Sequence, residues 1–187
     1  MKVISVWNEK GGVGKSTIAF HLAGAAVAKG LRVLLIDEDS PQNSCYEMAQ
    51  DGHVSFDVVT EQPKTRPDVD IVIIDMAPGV DKLPRGNIVF PYEPSRLAWS
   101  KARIHLPRIN QIGKVVRVIS KVDTRKSTHQ ALATKHKAAG AKQVTYWSVY
   151  ENATNEGRTI FDPALNSADK ISKARNEINL IFDEVMK

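Results

Sequence analysis

One stretch near the start of the chain decides the fold: Lys10-Gly11-Gly12-Val13-Gly14-Lys15-Ser16-Thr17. The apolar run before it, residues 3–7, predicts a buried strand, and residues 17–29 predict a helix that ends at Gly30. Glycines at a strand-to-helix turn let backbone N–H groups approach phosphate oxygens, and the N-terminus of the helix adds partial positive charge. The stretch therefore predicts a phosphate-binding loop.

Two lysines distinguish this loop from the common P-loop pattern. Lys15 is placed to reach terminal phosphates, and the hydroxyl of Ser16 can bind magnesium. The common pattern has a glycine five positions before Gly14, where this chain has Glu9, and a second lysine, Lys10, follows it. A glycine-rich turn that only joins a strand to a helix is the alternative, but such a turn needs no lysines on both sides of three glycines.

The string K-G-G-x-G-K-[ST]-[ST] resembles the "deviant" loop of the ParA/MinD family of ATPases. The resemblance implies a P-loop NTPase fold that binds ATP with Mg²⁺, and it implies that Lys10 and Lys15 act in catalysis. The ATP-binding residues that it implies are Lys10, Gly11, Gly12, Val13, Gly14, Lys15, Ser16 and Thr17.

Two aspartates, Asp37 and Asp39, follow the second predicted strand. Residues at i and i+2 of an extended chain project to the same side, so these carboxylates can share one water or metal shell. An acidic turn is the alternative. The segment resembles the D-x-D-P-Q segment of the family, with Ser40 inserted before Pro41. The resemblance implies that Asp39 is catalytic and orients the attacking water, and that Asp37 is its structural and metal-shell companion.

Four apolar residues, 71–74, deliver Asp75 to the end of the third predicted strand, as in a Walker B motif. Mg²⁺ prefers hard oxygen ligands and keeps much of its hydration shell. By resemblance, Asp75 holds Mg²⁺ through a water molecule shared with Ser16. The predicted metal-site residues are Ser16, Asp37 and Asp75.

Six apolar runs alternate with helical segments, and they predict an α/β fold with a mostly parallel, twisted sheet flanked by helices. The length of 187 residues fits a single domain, 1–187. Ligands in this architecture bind at the carboxyl ends of strands. Residues 50–70 are polar and predict the loosest region. The six predicted strands are residues 3–7, 31–36, 71–74, 88–90, 115–119 and 144–149.

The composition favours a cytoplasmic protein, and the resemblance implies that it associates with the nucleoid. Cys45 is the only cysteine, so the chain forms no internal disulfide. No apolar stretch approaches the roughly 20 residues that span a bilayer. The last helix carries one apolar stripe, which predicts packing rather than membrane docking because nearby acidic residues would oppose anionic lipid. The stripe consists of Ile171, Ala174, Ile178, Ile181 and Val185.

The positive charge is concentrated in residues 101–142. This segment has eleven lysines and arginines against one acidic residue, Asp123, whereas the whole chain has a net charge of +5. Such a segment can neutralise nucleic-acid phosphates, so it predicts nonspecific, salt-sensitive DNA binding. A solvated face is the alternative. The basic residues are Lys101, Arg103, Arg108, Lys114, Arg117, Lys121, Arg125, Lys126, Lys135, Lys137 and Lys142.

The function implied by the resemblance is plasmid or chromosome partition. Members of the family form ATP-dependent homodimers in which each Lys10 equivalent reaches phosphates held by the other subunit. Their ATP forms bind DNA, and a ParB-like adaptor protein stimulates their slow hydrolysis. Two alternatives stay open: a MinD-like regulator that positions a division or assembly factor at a membrane, and a small-molecule ligase or kinase.

Base selectivity is the least determined part of the predicted site. Ser120 stands where relatives often carry an asparagine that contacts the base. Residues 150–157 match the usual location of the second base-contacting loop.

Overall fold

A computed structural model of the chain describes residues 1–40, 42–79 and 82–187, so Pro41 of the D-x-D-P-Q resemblance lies outside the described residues. The strands are β1 (Lys2–Val6), β2 (Val33–Asp37), β3 (Asp57–Val59), β4 (Ile71–Asp75), β5 (Asn87–Tyr92), β6 (Val115–Val122) and β7 (Lys142–Thr145). The helices are α1 (Lys15–Ala28), α2 (Ser44–Ala49), α3 (Arg96–Ala102), α4 (Leu106–Ile109), α5 (Ser127–Ala138), α6 (Ser148–Asn155) and α7 (Ile171–Met186). Short 3-10 turns cover Arg103–His105 and Pro163–Leu165.

The strands form one seven-stranded sheet in the order β3-β2-β4-β1-β5-β6-β7, and each adjacent pair is parallel. This confirms the predicted α/β fold. Strand β1 lies in the middle, between β4 and β5, so the loop that follows it emerges at the centre of the carboxyl edge. Open parallel sheets bind ligands at that edge.

Helices cover the sheet on both faces. On one face α1, α2, α6 and α7 pack into a single core, which includes Phe20, Leu35 and Ile178. On the other face α3, α4 and α5 pack over a second core, which includes Phe90, Ile109 and Ala133. The strands are buried from both sides, which explains their nearly continuous apolar sequences.

The prediction for the last strand is wrong over half its length. Strand β7 ends at Thr145, and Val149 belongs to helix α6. The carboxylate of Glu177 accepts hydrogen bonds from the backbone N–H and the hydroxyl of Thr145, at 3.0 and 2.5 Å, and α6 then turns Val149 and Tyr150 into the core. Short apolar runs do not distinguish a strand from a buried helix, so this boundary depends on tertiary contacts.

Other boundaries also differ from the sequence prediction, mostly by one to three residues. Strand β2 begins at Val33 rather than at residue 31, and α1 begins at Lys15, inside the phosphate-binding loop. The polar region 50–70 contains the short edge strand β3, which pairs with β2. None of the helices in the described ranges is long and apolar enough to cross a membrane.

Two glycines, Gly86 and Gly113, allow close backbone contacts just before the amino-terminal ends of β5 and β6. A Cβ atom at Gly113 would lie 2.1 Å from the carbonyl oxygen of Gly86, and one at Gly86 would lie 2.2 Å from the carbonyl oxygen of Val3. Both obstacles are backbone atoms of ordered segments. These positions therefore have no room for a side chain.

We expect Gly113→Ala to lower the free energy of unfolding by roughly 1–3 kcal/mol, because the backbone must shift to admit the methyl group. Urea denaturation measures the change. Gly11→Ala is the control for stability, since its Cβ atom would meet nothing closer than 4.0 Å. Equal stability of the Gly113 variant and the parent protein would contradict the close backbone contact between Gly113 and Gly86.

Candidate nucleotide-binding site

The predicted phosphate-binding loop connects β1 to α1 at the centre of the sheet. Gly12 and Gly14 have φ angles of 74° and 88°, in the left-handed region that favours glycine. Helix α1 begins at Lys15, and Gly14 provides no side-chain cap for its first N–H groups. These N–H groups and the partial charge of the helix terminus fit an anion.

Residues from neighbouring strands hold the loop by its carbonyl groups. Lys121 Nζ donates to the carbonyl oxygen of Gly12 at 2.6 Å, and the Ser120 hydroxyl donates to that of Val13 at 2.8 Å. At the start of the loop, Asn8 donates from Nδ2 to the carbonyl oxygen of Pro91 at 2.7 Å. Because its carbonyl groups are fixed from outside, the loop is preorganised before any ligand binds.

Lys15 lies buried at the inner side of the loop, with 4 % exposure. Its Nζ atom donates to the carbonyl oxygen of Lys10 at 3.3 Å. Burial lowers the pKa of Lys15, whereas the nearby carboxylates of Asp75 and Asp39 raise it. The structure therefore brings this lysine and both carboxylates into one electrostatic cluster.

Asp37 and Asp75 meet because β2 and β4 are adjacent and in register, with Asp37 directly opposite Asp75. Oδ1 of Asp37 accepts a hydrogen bond from the N–H of Asp39 at 3.1 Å, and Oδ2 accepts from the N–H groups of Cys45 and Tyr46 at 2.8 and 3.1 Å. Asp37 thus fixes the turn between β2 and α2. This geometry gives it a structural task, and its part in metal binding stays a prediction.

Asp75 is fully buried, and no donor in the described part of the chain hydrogen-bonds its Oδ1 atom. Its pKa is raised to about 7, mainly by burial and also by the neighbouring Asp37 carboxylate, and the Ser16 hydroxyl opposes this rise. A buried carboxylate with an unsatisfied oxygen fits a cation site. The Ser16 hydroxyl and the Asp75 carboxylate supply the hard oxygens that Mg²⁺ prefers, so these residues fit magnesium.

Asp39 completes the cluster from the turn after β2. It is 8 % exposed, and burial raises its pKa while nearby Lys15 lowers it. Its carboxylate therefore faces the region where Lys15 would hold a terminal phosphate. This placement is compatible with the predicted orientation of an attacking water.

Lys10 lies apart from this cluster. Its Nζ atom forms an ion pair with Oε2 of Glu93, after β5, and 55 % of its side chain is exposed. The two loop lysines thus differ, because Lys15 faces the inner carboxylates and Lys10 faces outward. The Glu93 partner was not identified from the sequence, since 83 residues separate it from Lys10.

A pocket of about 290 Å³ adjoins the loop at Gly14 and Thr17. Residues of the predicted base-contacting segment line it, but 148–155 form helix α6, so the prediction of a loop there is wrong. Its floor is set by Ser120, whose hydroxyl also lies 3.2 Å from the carbonyl oxygen of Tyr92. Ser120 therefore supports the loop rather than offering a free group to a base. Aromatic residues of the lining are Tyr146, Trp147 and Tyr150.

Comparisons with known proteins identify the family of this chain. The family model "CobQ/CobB/MinD/ParA nucleotide binding domain" matches residues 4–181. The chromosome partitioning protein ParA of Caulobacter vibrioides is 38 % identical over 89 residues, which cover 45 % of this chain and 32 % of that protein. The chain thus matches about a third of that relative's length.

Two further comparisons extend over the whole chain. The maintenance of carboxysome distribution protein A of Halothiobacillus neapolitanus is 26 % identical over 212 residues, which cover 98 % of this chain and 95 % of that protein. The structure of the septum site-determining protein MinD with Mg-ADP from Pyrococcus horikoshii superimposes with a TM-score of 0.72 at 13 % identity, over 99 % of this chain and 97 % of that chain. At this identity the structural likeness shows the fold.

The family match covers nearly the whole chain, so the protein belongs to the CobQ/CobB/MinD/ParA family of nucleotide-binding domains. Among its named relatives are partition and positioning proteins. The roles of individual site residues remain predictions.

In the dimer that the family resemblance implies, the ion pair with Glu93 must break before Lys10 can reach the neighbouring subunit. We therefore expect Glu93→Gln to strengthen nucleotide-dependent dimerisation by a few fold, because exposed ion pairs contribute little individually. Sedimentation velocity with a non-hydrolysable ATP analogue measures the dimer constant. Glu61→Gln, at an exposed site outside the pocket, is the control. A weaker dimer in the Glu93 variant would contradict a restraining role for this pair.

Proposed function

We propose that this protein is a ParA-type partition ATPase that dimerises on binding ATP with Mg²⁺ and binds DNA nonspecifically in that state. Slow hydrolysis, stimulated by a ParB-like adaptor, then releases the DNA. The observation that carries the proposal is the preorganised loop with two lysines facing different directions, one toward the buried carboxylates and one outward. An outward lysine fits an ATPase that completes its site with a second subunit.

Each site residue has a separate task in the proposed reaction. The loop N–H groups and Lys15 bind the β- and γ-phosphates, and Asp39 orients the attacking water. Lys10 of one subunit stabilises charge on phosphates held by the other. When bound, Mg²⁺ supplies additional neutralisation of the phosphate charge, and Ser16 and Asp75 are the residues that would hold it.

The DNA-binding part of the proposal depends on which of the eleven basic residues in 101–142 have no partner within the fold. Five of the eleven have a partner within the fold. Glu184 pairs with Lys114 at 2.7 Å and with Lys142 at 3.6 Å, and Asp123 pairs with Arg125 at 2.9 Å. The guanidinium of Arg117 lies 5.8 Å from the centre of the Trp99 ring, and Lys121 bonds the phosphate-binding loop.

The other six are exposed, and no carboxylate within ion-pair distance faces them among the described residues. They lie on α3, α4 and the turn between them, and on or beside α5. These helices pack on the same face of the sheet, and the rings of Trp99 in α3 and His136 in α5 are 4.9 Å apart. We call this surface the basic face; it consists of Lys101, Arg103, Arg108, Lys126, Lys135 and Lys137.

A basic face of this kind supports switching by dimerisation. Two copies in one complex double the number of phosphate contacts, so affinity for DNA increases steeply when nucleotide joins the subunits. The loss of the dimer after hydrolysis would release the DNA for the same reason.

The MinD-like alternative requires a surface that docks on lipid. The apolar stripe of α7 does not offer one, because Ile171, Ala174, Ile178, Ile181 and Val185 are at most 4 % exposed and pack in the core. This confirms the packing expected for these residues. It favours DNA over membrane as the surface to which the ATP form binds.

Two classes of cargo are compatible with the proposal. One relative is named for chromosome partitioning and another for carboxysome distribution. Both names describe the positioning of a large object, which fits an ATP-dependent DNA switch coupled to a cargo-bound adaptor.

Neutralising three residues of the basic face should weaken DNA binding and reduce its salt dependence. For Lys126→Gln/Lys135→Gln/Lys137→Gln, we expect the slope of log K against log salt to fall by about 5, since the dimer loses six phosphate contacts and each contributes about 0.9. Fluorescence anisotropy with random duplex DNA and a non-hydrolysable ATP analogue measures the slope.

A charge-matched triple variant controls for the change in net charge. Lys64→Gln/Arg66→Gln/Lys173→Gln removes three exposed cations outside the basic face. Its slope should stay close to that of the parent protein. Equal losses in both variants, or nucleotide-dependent binding to anionic vesicles without DNA affinity, would reject the DNA-binding proposal.

Asp39→Ala should retain ATP and accumulate as the ATP-bound dimer, while hydrolysis slows by about 100-fold or more, since the attacking water loses its orienting carboxylate. Phosphate release and calorimetry measure the two properties. Asp68→Ala, which removes an exposed carboxylate far from the loop, is the control. Hydrolysis at the parental rate would remove Asp39 from the proposed mechanism.

A further inference from the structure

A thiol lies where the predicted magnesium site needs only oxygen ligands. Helix α2 places Cys45, the only cysteine of the chain, beside Asp75, with 3.5 Å between Cys45 Sγ and Asp75 Oδ2. Sγ also lies 3.4 Å from the carbonyl oxygen of Ser16. Ligand atoms of Asp37, Cys45 and Asp75 all lie within 4.8 Å of one another, and the three residues are buried.

Asp75 provides a second, independent indication of a cation at this position. Its Oδ1 atom is buried and has no hydrogen-bond donor among the described residues. Asp37 still has capacity to accept, because a carboxylate has about four lone-pair sites and three N–H groups already bond this one. Lys15 is a nearby cation, and the carboxylates of Asp75 and Asp39 oppose its single charge.

The spacing suits a tetrahedral ion with mixed sulfur and oxygen ligands. With Zn–S near 2.3 Å and Zn–O near 2.1 Å, two such ligands on one zinc ion are about 3.6 Å apart. The observed separation of Cys45 Sγ and Asp75 Oδ2 is 3.5 Å, and a carboxylate oxygen of Asp37 lies within 4.8 Å of both ligand atoms. Mg²⁺, by contrast, gains nothing from a thiol, because it prefers oxygen ligands.

We propose that Cys45, together with Asp37 and Asp75, forms a binding site for thiophilic divalent cations such as Zn²⁺, Cd²⁺ or Co²⁺. A water molecule fills the fourth position. The thiol loses one proton to solvent as the metal–sulfur bond forms, and the metal keeps its oxidation state. Such an ion occupies the pocket of Asp75, so it competes with Mg²⁺ for the site.

Titration of the nucleotide-free protein with Co²⁺ tests the site directly. We expect a thiolate-to-cobalt charge-transfer absorption, which reports Cys45 without ambiguity because the chain has no other thiol. Addition of Zn²⁺ should remove the absorption. In Cys45→Ser the absorption should be absent, and the Zn²⁺ affinity measured by calorimetry should fall at least tenfold. Calorimetry in two buffers should count about one more proton released per Zn²⁺ in the parent protein than in the variant.

Cys45→Ser should keep its affinity for Mg²⁺ with ATP, because a hydroxyl replaces a group that Mg²⁺ does not use. Cobalt binding without charge-transfer absorption, or equal Zn²⁺ affinity in the two proteins, would overturn the proposal. If Cys45→Ser does not fold, the presence or absence of the charge-transfer absorption in the parent protein decides whether Cys45 binds the metal. The titration contains no ATP and no DNA, so its failure leaves the proposed function intact, and failure of DNA binding leaves this site intact.

Discussion

The alignment of Asp37 with Asp75 across β2 and β4 is the constraint on which the rest of the site depends. Two buried carboxylates in neighbouring positions repel each other and lose hydration, so the fold must supply donors or cations. Backbone N–H groups after β2 satisfy Asp37, and this determines the turn that carries Asp39 and the start of α2. Asp75 keeps an unsatisfied oxygen beside Lys15 and Ser16. Satisfying the buried charge of Asp37 thus orders the turn, and the unsatisfied oxygen of Asp75 leaves a position for a cation.

The phosphate-binding loop is preorganised by contacts on the other side of β1 from Asp37 and Asp75. Ser120 and Lys121, at the end of β6, bond the loop carbonyl groups, and this leaves the backbone N–H groups to face a phosphate. Lys10 is different, because an exposed ion pair with Glu93 holds it and exposed pairs are easily broken. The rigid part of the site therefore binds nucleotide, whereas the movable lysine is available for a neighbouring subunit in the proposed dimer.

The excess of positive charge along the sequence is larger than the positive charge that the folded surface leaves unpaired. Residues 101–142 carry a large excess of positive charge along the chain, but Glu184 of α7 approaches Lys114 and Lys142 only after folding. Helices α3 and α5 are in turn brought together by the contact between Trp99 and His136. The sequence identified the basic segment, and the packing of helices on the sheet reduces it to a face of six cations.

By itself, the sequence determined the fold class, and it predicted a phosphate-binding loop with Lys15, Ser16 and Asp75 as site residues, because these follow from local spacing and from apolar runs that must be buried. It also located the apolar stripe of α7. Only the tertiary structure decided that 146–149 lie outside the sheet, with 148–149 in α6, that Lys10 contacts Glu93, and that Cys45 lies beside two carboxylates. The physical reason is distance along the chain: these contacts join residues that are separated by helices and strands, and they form only when the strand order and register are fixed.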